Sequence, residues 1–224
     1  MKRQTLQKLV RIVFHAIAKI EFTGEENIPA QGGIILATNH MSRLDIPLLF
    51  IIPARPDITA LVTDKYQSYP FFRWFTETAE GIWIDRTKAD FTAFRQAAEV
   101  IQAGKALGIA PEGTRSDTAS LLEAKEGTAL LAIRTNTPVV PVAIAGTENA
   151  VSQFKRLRRP HIVTRFGAPI PPPTLTREDR AAALKNYTDE IMCQMAAMLP
   201  PSYHGFYANH PRLKEILGVN PDGG

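Results

Sequence analysis

The chain has 224 residues, 45% of them hydrophobic, and a formal net charge of +4. That is apolar material for one substantial core, which excludes a disordered chain, and the modest positive excess favours an anionic partner or surface without requiring one. A single cysteine, Cys193, excludes an internal disulfide and a cysteine-based metal cluster, while five histidines without an HxH or HExxH arrangement argue against a zinc centre.

Residues 1–20 read as an amphipathic helix. Leu6, Leu9, Val10, Val13, Ile17 and Ile20 share one face, and Lys8, Arg11, His15 and Lys19 the opposite one. Such a helix fits an anionic membrane surface, and it equally fits a helix packed on its own domain with its charges in water. The apolar stretch is broken by Arg11 and His15 and leads to no small-residue cleavage signal, so it does not read as a signal peptide. No run reaches the roughly 18 consecutive apolar residues of a spanning helix.

Residues 21–23 suit a short strand, and a turn-rich connection follows to Gly33. The uninterrupted apolar run 34–37 reads as a buried parallel strand that delivers Asn39 and His40 to its carboxyl end, where open α/β sheets hold ligands. Asp45 follows His40 by five positions. A turn there brings the carboxylate back to one imidazole nitrogen and leaves the other for a substrate proton. The same residues also permit a capping box between Ser42 and Asp45, in which the carboxylate only satisfies a backbone amide.

Residues 58–63 alternate as a strand, and the aromatic segment 66–75 reads as a helix after Pro70, with most of its rings in the core; its density also allows an acyl-chain groove or an interfacial surface. Residues 81–86 suit a strand ending at Asp85 and Arg86, and Thr87 with Asp90 reads as a capping box for a helix over 89–103. The strand 107–110 runs into Pro-Glu-Gly-Thr-Arg-Ser at 111–116, an anion cradle in which Gly113 admits backbone amides and Arg115 offers a fork of donors. A helix over 123–135 precedes the strand 138–145, whose prolines favour an edge or irregular end. The basic run 154–159, the strand 161–166, the proline-rich connection 169–173, a long helix capped by Thr176 and Asp179, and a short helix over 212–217 complete the chain. Cys193 falls inside the long helix and reads as packing. These elements describe an α/β protein: a single-domain mixed, mostly parallel sheet flanked by helices, with an N-terminal amphipathic helix.

In combination the motifs resemble the glycerolipid acyltransferase family, and within it the bacterial 1-acyl-sn-glycerol-3-phosphate acyltransferases. The family's Asn-His followed by four residues and Asp is matched by Asn39, His40 and Asp45; its Gly-to-Arg block by Gly81 to Arg86; its Phe-Pro-Glu-Gly-Thr-Arg-Ser block by Pro111 to Ser116; and its apolar-Pro block by Val140-Pro-Val-Ala-Ile. Ala110 stands where the family commonly has Phe, a change at the neighbouring pocket rather than in the chemistry.

The resemblance implies His40 and Asp45 as the catalytic pair, Arg115, Arg86 and Gly113 as the binders of a substrate phosphate, and Asn39, Glu112, Thr114 and Pro141 as residues that shape the site. It implies transfer of a fatty acyl group from acyl-CoA or acyl carrier protein to the sn-2 hydroxyl of lysophosphatidic acid, with neither a metal nor a bound organic cofactor. It further implies residues 1–20 as a membrane-associating helix before an acyltransferase domain over 21–224, on an anionic surface at the cytoplasmic face of the cell membrane, with no nucleic acid partner. An acyltransferase using another lysolipid, such as a lyso-ornithine lipid, is the nearest alternative. A phosphate-ester hydrolase or a non-enzymatic binder of anionic surfaces accounts for fewer of the motifs.

Overall fold

The computed structural model describes residues 1–174 and 179–219, and these form one seven-stranded sheet. Its strands are Lys19–Thr23 (β1), Ile34–Thr38 (β2), Thr59–Thr63 (β3), Ile82–Ile84 (β4), Ala106–Ile109 (β5), Val139–Ala145 (β6) and His161–Phe166 (β7), in the spatial order β1-β7-β6-β2-β5-β3-β4. Every neighbouring pair is parallel except β6 and β7. The helices are Arg3–Ile17 (α1), Asp45–Phe50 (α2), Pro70–Thr78 (α3), Phe91–Gln102 (α4), Gly127–Thr135 (α5), Ala150–Lys155 (α6), Arg180–Ala197 (α7) and Pro211–Ile216 (α8).

The unbroken apolar run of β2 follows from burial on both sides. Ile34 and Leu36 face a core built with α1, α2 and α3, whereas Ile35 and Ala37 face a second core built with α4, α5 and α7. Alternation of side-chain direction thus serves two cores at once. The connections divide in the same way. From β2 the chain crosses one face through α2 to β3; from β5, the neighbour of β2, it crosses the other face through α5 to β6. Two adjacent strands whose connections leave to opposite faces open a crevice at their carboxyl ends.

Several local expectations change in the tertiary context. The first helix ends at Ile17, because residues 19–23 pair with β7 as an edge strand. Its inward face carries Leu6, Gln7 and Phe14, while Leu9, Ile12, Val13 and Ile17 point outward at 37–66% exposure. Arg11, expected in water, turns inward to donate to the Ile51 carbonyl at 3.0 Å. Nor are the rings of α3 mainly core: Phe71 and Trp74 are 65% and 41% exposed.

The box expected between Thr87 and Asp90 gives way to Asp90 alone, which accepts from Ala93 N at 3.0 Å and starts the helix at Phe91, while Thr87 bonds Asp85. The strand expected at an edge, β6, is internal. Pro141 is tolerated there because its carbonyl accepts from Gly167 N between the last regular β6–β7 pair, Val142–Phe166, and the isolated bridge Val139–Ile170, so its missing donor falls where the pairing is interrupted. The cap expected at Thr176 lies outside the described residues.

Among the described residues Arg55 is the one large cation with almost no exposure, 1%. It holds both oxygens of Asp57 at 2.8 Å and donates to the carbonyls of Pro29, Gly32 and Gly104 at 2.9 Å, tying three loops at the amino ends of the strands. The guanidinium holds the Asp57 carboxyl below its usual range through these bonds. Arg55→Ala orphans three carbonyls and a carboxylate, so it is expected to lower stability by about 3–5 kcal/mol in urea unfolding.

Candidate active site

Residues beyond the carboxyl ends of four parallel strands surround one cavity of about 1000 Å³: His40 after β2, Lys65 after β3, Arg86 after β4 and Arg115 after β5. The cavity continues as an apolar groove between α1, α2 and α3, lined by Leu6, Val10, Pro47, Phe50, Phe71 and Phe75.

His40 Nδ1 lies 3.0 Å from Asp45 Oδ2. The Asp45 side chain is fully buried and the His40 side chain 18% exposed. The same carboxylate oxygen accepts from the amides of Met41 at 2.8 Å and Ser42 at 2.7 Å. The carboxylate therefore closes the turn before α2 and also meets the imidazole. The reciprocal half of the box differs, with Ser42 Oγ accepting from Leu44 N at 3.3 Å. Because Asp45 accepts, Nδ1 carries the proton, and Nε2 is left as the acceptor.

The backbone of His40 is gripped from the third block. Its amide donates to Glu112 Oε1 at 3.0 Å, and its carbonyl accepts from Ser116 N at 2.8 Å. The second oxygen of Glu112 accepts from Leu122 N at 2.8 Å, so both oxygens are committed to amides and the side chain is 2% exposed. Burial pushes the Glu112 carboxyl up to about 7, against the lowering effect of those two amide bonds. Asn39 acts as a peptide mimic on β6, donating to the Ile144 carbonyl at 2.8 Å and accepting from its amide at 2.7 Å.

Gly113 adopts φ +68°, the left-handed turn that a residue with a Cβ resists. Its carbonyl accepts from Arg86 at 2.7 Å, which joins the second block to the third. Among the described residues Arg115 pairs with only the exposed Asp117, at 3.9 Å, the outer limit of an ion pair. Thr114 lines the cavity with these residues, and so do Arg43, Lys65, Lys88 and Lys125. Pro141 does not line it; it pairs with Ala37 one residue before Thr38, beneath the site.

Sequence reasoning missed those four cations and Thr147, whose hydroxyl donates to Asp45 Oδ1 at 2.7 Å. For Lys65 and Thr147 the available signal was position alone, since each stands two residues beyond a strand's carboxyl end. Cys193 is buried within α7, where burial pushes its thiol up to about 12, far from a nucleophile's range.

Fold and site together define an α/β protein with a His–Asp pair and a cationic pocket at its topological switch point. Residues 19–145 match the Acyltransferase family, and the chain belongs to that family. It is 32% identical over 180 residues, 77% of this chain, to the 1-acyl-sn-glycerol-3-phosphate acyltransferase of Saccharomyces cerevisiae, and 31% identical over 133 residues, 58% of this chain, to that of Borreliella burgdorferi. The matched segments span 58% and 53% of those two relatives' lengths. Among solved structures, the crystal structure of the 1-acyl-sn-glycerophosphate (LPA) acyltransferase, PlsC, from Thermotoga maritima superposes with a TM-score of 0.64 at 25% identity, covering 84% of this chain and 76% of that one.

The raised Glu112 carboxyl gives a pH dependence of defined sign. A group protonated more readily in the folded than in the unfolded chain stabilises the fold fully below about 4.5, and that contribution is lost as pH rises through about 7. The stability advantage of wild type over Glu112→Gln is therefore expected to shrink by about 3 kcal/mol at most between pH 5 and pH 8. Urea unfolding of both chains at pH 5, 6, 7 and 8 checks this; a constant difference would contradict the assigned burial effect.

Proposed function

We propose that this chain transfers a fatty acyl group from a thioester, acyl-CoA or acyl carrier protein, to the sn-2 hydroxyl of 1-acyl-sn-glycerol 3-phosphate, giving phosphatidic acid. The observation that carries the reading is the union, in one cavity, of the His40–Asp45 pair, a rim of cations and an apolar groove. That combination matches an amphiphile with a phosphate at one end, an acyl chain at the other and a hydroxyl between them. The names of the yeast, Borreliella and Thermotoga proteins support the same substrate.

In this mechanism His40 Nε2 takes the hydroxyl proton while Asp45, through Nδ1–H, supports the imidazolium. The acceptor oxygen attacks the thioester carbonyl to form a tetrahedral adduct. Collapse of the adduct forms the ester and expels the thiolate, which recovers the proton from His40, so no covalent enzyme intermediate and no bound cofactor is required. Arg115 supplies the forked contact for the acceptor phosphate, with Arg86 adding charge while it fixes the Gly113 carbonyl. Glu112, Asn39 and Thr114 shape the site; both oxygens of Glu112 are occupied by amides, which suits holding the loop rather than moving protons.

The α1 helix serves as the membrane-associating element. Its outward Leu9, Ile12, Val13 and Ile17 and the exposed rings of α3 flank the groove, so an acyl chain passes between apolar surface and apolar groove without crossing water. The basic loop after α6 lies beside it, because Arg159 donates to the carbonyls of His15 at 2.6 Å and Ala18 at 3.1 Å. Together they suit peripheral attachment to an anionic surface at the cytoplasmic face. Among the described residues no helix is long and apolar enough to cross a membrane.

Thiol release with a palmitoyl thioester tests the reaction when it depends on lysophosphatidic acid and is matched by phosphatidic acid formation. His40→Ala is expected to lower transfer by about 10²- to 10⁴-fold with the fold intact. Arg115→Ala is expected to raise KM for lysophosphatidic acid by about 10- to 100-fold while barely changing use of monoacylglycerol. Equal losses on both acceptors would remove the phosphate role of Arg115, and transfer only to another lysolipid would reassign the acceptor.

Replacing Ile12 and Ile17 by Ser is expected to weaken sedimentation with phosphatidylglycerol vesicles at least about fivefold, since about 25 cal/mol is lost for each Å² of apolar surface withdrawn from the lipid. Transfer measured in detergent micelles should persist. Unchanged vesicle binding would separate α1 from membrane attachment.

A further inference from the structure

We infer that Thr147 is a positioning residue for the His40–Asp45 pair, holding the carboxylate plane from a different strand. The inference rests on the reading of that pair as the acyl-transfer base. Asp45 Oδ2 is held by His40 and by the amides of Met41 and Ser42, all within five residues of it along the chain. Those donors converge on a single oxygen and all come from one turn. Oδ1 is held from outside that turn by Thr147 Oγ1 at 2.7 Å, a contact across 102 positions. One anchor on each oxygen fixes the rotation of the carboxylate about its Cβ–Cγ bond, and so the direction in which Oδ2 meets the imidazole.

The anchor is itself rigid. Gly146 has φ +93°, and a Cβ there would fall 2.1 Å from the His161 carbonyl oxygen, so the turn has one backbone path. Gly146 N donates to Glu148 Oε2 at 3.0 Å, and Tyr203 OH donates to Glu148 Oε1 at 2.8 Å, bringing the segment after α7 into the same support. Three residues upstream, Ile144 is clamped by Asn39. The loop carrying His40 is thereby latched to the end of β6 at two points.

Other buried threonine hydroxyls make no such contact: Thr188 donates to the Leu184 carbonyl and Thr59 to that of Glu80, while those of Thr128 and Thr164 have no partner among the described residues. Thr147 instead reaches a carboxylate, and both residues are 0% exposed, so no solvent replaces the bond when it is lost. Thr147 does not line the cavity and acts only through Asp45.

The test compares Thr147→Val, close in shape but without a donor, with Thr147→Ser, which keeps the donor. Thr147→Ala is the second donor-less chain should the valine variant fail to fold by circular dichroism. Thr147→Val is expected to lower kcat about 10- to 100-fold while leaving both KM values within about twofold, and Thr147→Ser to stay within about threefold of wild type.

In the substrate-free proteins, ¹⁵N NMR of His40 is expected to report one tautomer protonated at Nδ1 for wild type and the serine variant. A tautomer mixture is expected for the donor-less variants. A wild-type tautomer signal in Thr147→Val, or equal impairment of Val and Ser, would overturn the inference. Absence of acyl transfer in wild type would instead count against the acyltransferase reading, while the NMR comparison would still decide the role of Thr147.

Discussion

A carboxylate with no exposed surface must find all its partners inside the protein, and Asp45 finds four: one imidazole, two amides and one hydroxyl. That requirement organises the upper end of the sheet. The turn after β2 must curl tightly enough to aim two amides at one oxygen, and the turn after β6 must arrive with its threonine at the other. Glu112 repeats the arrangement one layer away, with each of its oxygens on an amide from a different loop. Two buried carboxylates thus replace the secondary structure that loops at a strand's end cannot supply for themselves.

The location of these loops follows from topology. Adjacent strands β2 and β5 send their connections to opposite faces, so a crevice opens between their carboxyl ends. Into it project an imidazole from one strand and a cation-bearing turn from the other. The groove below belongs to only one of the two cores, the one built with α1, α2 and α3, and this gives the cavity a polar mouth and an apolar length. That division suits the amphiphilic acceptor proposed above.

The first helix illustrates how one periodic pattern can be divided between two environments. Its apolar residues cover a wide arc; the domain takes Leu6 and Phe14, and Leu9, Ile12, Val13 and Ile17 are left outside. Periodicity located the arc but not the line dividing it. That line is set by where Gln7, Arg11 and Arg3 reach carbonyls of the loops around Phe50, Ile51, Pro56 and Ala79, polar contacts that leave no trace in a hydropathy pattern. The aromatic segment behaves in the same way, because an exposed apolar surface and a core that excludes water are built from the same side chains.

By itself the sequence determined the strands that are apolar throughout, the order of the four blocks, and the five-residue spacing from His40 to Asp45; these are local properties, written in composition and distance along the chain. It also carried the family. Tertiary structure alone decided that the first helix stops at Ile17, that β6 is internal despite Pro141, that Asp90 rather than Thr87 caps its helix, and that Lys65 and Thr147 converge on the site from distant strand ends. The physical reason is common to all of them. Hydrogen-bond partners and burial belong to positions in space, and residues 102 apart in the chain, such as Asp45 and Thr147, become neighbours only when the sheet brings two strand ends together.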